Sequence, residues 1–105
     1  MKSCLIVDDS KVIRKVARHI LETMQFEVAE AADGKEALDH VAQATPDVIL
    51  LDWNMPNMNG LDLLRKIRST EELKHLPVLM LTTEGSHQAI ITAIKAGATS
   101  YMTKP

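Results

Sequence analysis

Apolar residues in this chain fall into two textures. Some form short unbroken runs, and others recur every third or fourth position. Cys4-Leu5-Ile6-Val7, Asp47 to Leu51 and Pro77 to Leu81 belong to the first kind, and the first of them stops abruptly at Asp8-Asp9. Runs of this length, rich in Val, Ile and Leu, predict strands covered on both faces. Phe26 to Glu30 alternates apolar with polar and predicts a more exposed strand, and Thr99 to Met102 predicts a short last one.

Between them lie helical spacings. Val12, Ile13, Val16, Ala17, Ile20, Leu21 and Met24 make an apolar stripe after Ser10, a candidate N-cap. Asp33-Gly34 opens a helix carrying Ala37, Leu38, Val41 and Ala42, which Pro46 stops. Leu61, Leu64 and Ile67 mark a third helix. A fourth carries Ala89, Ile90, Ala93 and Ile94, with Ser86 as its cap and Gly97 ending it at C′. The order βαβαβαβαβ implies a parallel sheet with right-handed crossovers and helices on both faces, a doubly wound α/β fold.

Composition narrows the class. The 105 residues support one domain. Twelve basic against fourteen acidic residues, without a block of either sign, leave no electrostatic footprint for nucleic acid or a membrane surface. No apolar run is long enough to span a bilayer, and Met1 leads into the first strand without a cleavage signal. One cysteine cannot form an internal disulfide and fits a cytoplasmic protein; in a buried strand Cys4 is a small core hydrophobe. His19, His40, His75 and His87 sit in four separate elements without ligand spacing.

In an open parallel sheet, ligands bind beyond the carboxyl ends of the strands. Here those ends carry Asp8 and Asp9, Asp52, Thr82 and Lys104. Any one of these is more often a cap, a turn residue or a solvated lysine. Their joint placement at matching strand ends is not readily explained that way. Three carboxylates brought together repel one another unless cations are near. Lys104 supplies one positive charge and a divalent ion two more. A donor set of hard oxygens prefers magnesium to zinc. Asp52 can then act as nucleophile toward a phosphoryl group, with Thr82 donating to it.

Leu5-Ile6-Val7-Asp8-Asp9-Ser10, Asp47 to Pro56, Leu81-Thr82-Thr83-Glu84 and Lys104-Pro105 together resemble response-regulator receiver domains over essentially the whole chain. From Trp53 to Pro105 the likeness is to single-domain chemotaxis regulators. The resemblance implies a five-stranded, flavodoxin-like sheet of order 2-1-3-4-5. It implies that Asp52 accepts phosphoryl from a histidine kinase's phosphohistidine. Asp8, Asp9, Asp52 and the backbone carbonyl of Asn54 would ligate Mg2+, and Thr82 and Lys104 would bind the phosphoryl group. Thr82 and Tyr101 would act as the switch, changing the surface of the fourth helix and fifth strand for a downstream target or a flagellar-motor-type partner. Asn54 and Glu84 would tune hydrolysis of the acyl phosphate.

Two departures accompany the likeness. Asn59-Gly60 stands where the family has Asp-Gly, and the family's fifth helix is missing after Pro105. Residues 1–105 thus read as a receiver domain incomplete at its C-terminus, with part of one sheet face bare. Leu5, Val7 and Met102 are the expected exposed residues, and self-association through that face the expected result. A magnesium-dependent aspartyl-phosphate phosphatase on the same topology needs a second acid two residues after the nucleophile, where Asn54 stands. A flavin mononucleotide carrier needs a Ser/Thr/Gly phosphate loop where Asp8-Asp9 stand. A signalling switch rather than a turnover enzyme is the better reading, with a module cut from a larger regulator as its alternative.

Overall fold

A computed structural model describes residues 1–53, 55, 59–82 and 87–103. Five strands alternate with four helices: β1 (Ser3–Val7), α1 (Lys11–Thr23), β2 (Glu27–Ala31), α2 (Gly34–Gln43), β3 (Val48–Asp52), α3 (Gly60–Ser69), β4 (Val78–Thr82), α4 (His87–Lys95) and β5 (Ser100–Thr103). All strands are parallel, in the order β2-β1-β3-β4-β5. The doubly wound sheet expected from the sequence is present, with strand ends moved by one residue at most.

Local chemistry accounts for the helix starts. Ser10 caps α1, its hydroxyl accepting from the Ile13 N–H at 3.3 Å. Asp33 caps α2 by accepting from the Glu36 N–H at 2.8 Å, and Glu36 reaches back to the Ala32 N–H. Asn59 caps α3 through the Asp62 N–H at 2.8 Å, so the Asn-for-Asp departure leaves the cap in place. Gly97, just past α4, has φ +107°, as a C′ residue should. Ser86, expected to cap α4, lies outside the described residues.

Each strand turns alternate residues to opposite faces. Leu5, Val7, Ile49, Leu51, Val78 and Met80 form one core with Ala37 and Val41 of α2 and Leu63, Leu64 and Ile67 of α3. Arg68 binds the far end of this layer together. Its guanidinium donates to the carbonyls of Gly97 at 2.8 Å and Leu76 at 2.6 Å, and burial lowers its pKa.

The opposite face is covered by α1 over β1, where Cys4 and Ile6 are buried. One expectation about this face is corrected. Leu5 and Val7 are not exposed, because their parity points them into the α2–α3 core, where they are 0% and 1% accessible. The bare strip is set by the other parity: Leu50, Leu79 and Leu81 are half-buried and Met102 is 50% exposed. The register Ile6–Leu50–Leu79 and Leu81–Met102 lines them up across the sheet. Nor does α1 bury its whole stripe. Ile13, Ala17 and Leu21 are half-buried, while Val12, Val16, Ile20 and Met24 remain exposed.

Candidate functional site

The carboxyl edge of the sheet collects the residues singled out above. β1 ends at Val7 and delivers Asp8 and Asp9 to the following turn. β3 ends on Asp52 itself, and β4 ends on Thr82. Asp8, Asp52 and Thr82 are almost completely buried, whereas Asp9 is exposed. One carboxylate oxygen from each of Asp8, Asp9 and Asp52 lies within 4.8 Å of the others. Forty-three positions of sequence separate Asp9 from Asp52, and the pairing of β1 with β3 closes that gap.

Several contacts stiffen this edge. The Asp8 N–H donates to the Ala31 carbonyl at 3.1 Å, and Asp8 Oδ1 accepts from the Ser10 N–H at 2.8 Å. The Trp53 N–H donates to the Leu81 carbonyl at 2.9 Å, and the Gly60 N–H to the Trp53 carbonyl at 2.8 Å. A Cβ at Gly60 would stand 2.1 Å from the Asp52 carbonyl oxygen, so the start of α3 can approach the end of β3 only as glycine. This tight seat was visible beforehand only as an Asn-Gly pair opening a helix, without a target.

The donor set fits a hard divalent cation. Three carboxylate oxygens at this spacing are too close to share an uncompensated pocket comfortably, and among the described residues no softer ligand belongs to the cluster. Asn54, Glu84 and Lys104 lie outside the described residues. Tyr101 is half-buried against the α2–α3 core, paired in register with Met80. Burial pushes the Cys4 thiol up to about 11, as expected of a core residue rather than a reactive one. Among the described residues, no helix is long and apolar enough to cross a membrane.

A doubly wound sheet with an acidic cluster at its carboxyl edge places the chain in the class of open α/β domains whose sites lie beyond the carboxyl ends of the strands. Comparison with known proteins narrows it. Residues 4–105 match the model of the response regulator receiver domain, and the chain belongs to that family. It is 46% identical over 103 residues to the chemotaxis protein CheY1 of Helicobacter pylori, covering 96% of this chain and 83% of that protein. It is equally identical over 102 residues to CheY-3 of Vibrio cholerae, covering 96% and 78%. The structure of the chemotaxis response regulator CheY4 of Vibrio cholerae superposes with a TM-score of 0.95 at 42% identity, over 100% of this chain and 88% of that one. The Mn2+-bound form of response regulator Rcp1 superposes at 0.91 and 30% identity, over 100% and 82%. Receiver domains are signalling switches, not turnover enzymes, and this one is of the CheY type.

Proposed function

We propose that this chain is a cytoplasmic phosphoacceptor switch that takes phosphoryl from a histidine kinase onto Asp52. The observation that carries the reading is the gathering of Asp8, Asp9 and Asp52 within 4.8 Å at the ends of adjacent strands, with Asp52 2% exposed.

Asp8, Asp9 and Asp52 would hold Mg2+ together with the Asn54 carbonyl. When bound, the ion offsets the clustered negative charge and that of the incoming phosphoryl oxygens. An Asp52 carboxylate oxygen forms a bond to phosphorus as the phosphorus–nitrogen bond to the donor imidazole breaks. The imidazole leaves with the bonding electron pair and is neutral once it carries one proton. The product is an acyl phosphate on Asp52. The Thr82 hydroxyl, at the end of the next strand, donates to one phosphoryl oxygen, and the Lys104 ammonium pairs with another. The new charge of about −1.5 to −2 biases Thr82 and Tyr101 toward a second arrangement and changes the α4–β5 surface seen by a downstream, chemotaxis-type target.

Intact mass after incubation with Mg2+ and acetyl phosphate tests this. Wild type should gain a single base-labile increment of ~80 Da, and Asp52→Ala none. An increment persisting in Asp52→Ala would show that another residue is the nucleophile. No increment in wild type would end the phosphoacceptor reading.

A further inference from the structure

The acidic turn after β1 is braced from behind by a relay of charges that phosphoryl chemistry does not itself require. The Glu30 carboxylate of β2 lies between two guanidiniums of α1, with Arg14 Nε donating to Oε1 at 3.0 Å and Arg18 Nε to Oε2 at 2.7 Å. Burial alone would raise the pKa of Glu30. Hydrogen bonds and charge from Arg18 and Arg14 outweigh it and hold the carboxyl below its ordinary value. Arg18 is further engaged by Glu22 at 3.3 Å and donates to the Val28 carbonyl at 3.2 Å. Arg14 uses its remaining edge differently: Nη1 donates to the backbone carbonyl of Asp8 at 2.5 Å.

That carbonyl belongs to the peptide joining Asp8 to Asp9, so its direction sets where the Asp9 side chain departs. We propose that Arg14, clamped by Glu30, is a positioning residue for the cation site, orienting the Asp8–Asp9 peptide so that both carboxylates converge with Asp52. The inference rests on reading the cluster as a magnesium site. A planar guanidinium suits the task because its fork can serve Glu30 and the carbonyl together in fixed geometry. The sign of the effect separates this role from simple electrostatics. A nearby guanidinium by its charge alone opposes binding of a cation, so removing it would tighten binding. Removing a positioning contact weakens it.

Titration with MgCl2, followed by the fluorescence of Trp53 next to Asp52, measures the affinity, and a metal-free thermal melt measures stability. Arg14→Ala should raise the Mg2+ Kd on the order of 10-fold, the usual consequence of losing an outer contact to a metal ligand. Glu30→Gln should raise it less, and Arg14→Ala with Glu30→Gln no further than Arg14→Ala alone. Arg14→Lys keeps the charge but not the fork and should also bind more weakly than wild type. Arg18→Ala should lower the melting temperature while leaving the Mg2+ Kd within about twofold. Unchanged or tighter Mg2+ binding by Arg14→Ala with native circular dichroism would overturn the proposal. If Arg14→Ala does not fold, an unchanged Kd in Glu30→Gln would do the same. A wild type that binds no Mg2+ removes the site itself, whereas normal wild-type binding with indifferent variants removes only the role of Arg14.

Discussion

Asp8 and Asp9 are neighbours in the chain, but their surroundings differ. Asp8 is buried and held by the Ser10 amide, while Asp9 faces solvent. Asp9 can therefore be changed with little collateral damage, and its charge faces Asp8 and Asp52 within 4.8 Å. Between screened unit charges at such a distance the repulsion is about 1 kcal/mol. Asp9→Asn should raise the metal-free stability by about that amount, roughly 4–8 °C in Tm for a domain near this size. The same substitution should weaken Mg2+ binding. Asp8→Asn should move both quantities in the same directions. Differential scanning calorimetry with and without MgCl2 checks this; a metal-free Tm lowered by both substitutions would make the carboxylates structural caps.

At the scale of elements, the tie between α1 and β2 carries a pH dependence. Glu30 lies below its ordinary value of 4.5 because Arg18 and Arg14 outweigh the penalty of burial. The folded state thus binds this proton less tightly than the unfolded chain. Its contribution is complete above about pH 4.5 and is lost as pH falls through the lower, folded value. The Tm advantage of wild type over Glu30→Gln should be full near neutrality and shrink as the pH falls below the ordinary carboxyl value and through the lower, folded one. Thermal melts across that range check the trend. An advantage that stayed constant on acidification would mean that Glu30 contributes through packing and not through its charge.

At the scale of the molecule, the two faces of the sheet are unequally covered. α2 and α3 pack on the face of Leu5, Val7, Ile49 and Leu51, whereas among the described residues the face of Cys4 and Ile6 is covered by α1. Leu50, Leu79, Leu81 and Met102 form a partly exposed apolar strip on that side, accompanied by Val12, Val16 and Ile20 of α1. An apolar patch of several hundred Å² is large for a soluble monomer. The 105-residue chain should therefore self-associate at micromolar concentration, and Val16→Glu with Leu79→Lys should return it toward monomer. Sedimentation velocity over a concentration series decides; a wild-type monomer throughout, with a strong near-UV circular dichroism signal, would contradict the expectation.

The sequence by itself determined the elements and the chemistry of the carboxyl edge. Strand ends and caps are local: an apolar run ends where a charge begins, and Ser10 or Asn59 satisfies amides only three residues away. Because a parallel βαβ order puts every strand's carboxyl end on one edge, Asp8, Asp9, Asp52 and Thr82 could be gathered there without coordinates. Tertiary structure decided what depends on facing and reach. Leu5 and Leu50 read alike as members of buried runs, yet strand parity sends one into the core and leaves the other half-buried on the thinly covered face. The stripe on α1 is wider than the surface it meets, so spacing alone could not say that Val16 stays in water. Glu30 is sixteen positions from Arg14, with no periodicity linking them, and Gly60 is required only because the Asp52 carbonyl arrives from another element. Contacts of that kind follow from how layers pack, and short-range pattern carries no record of them.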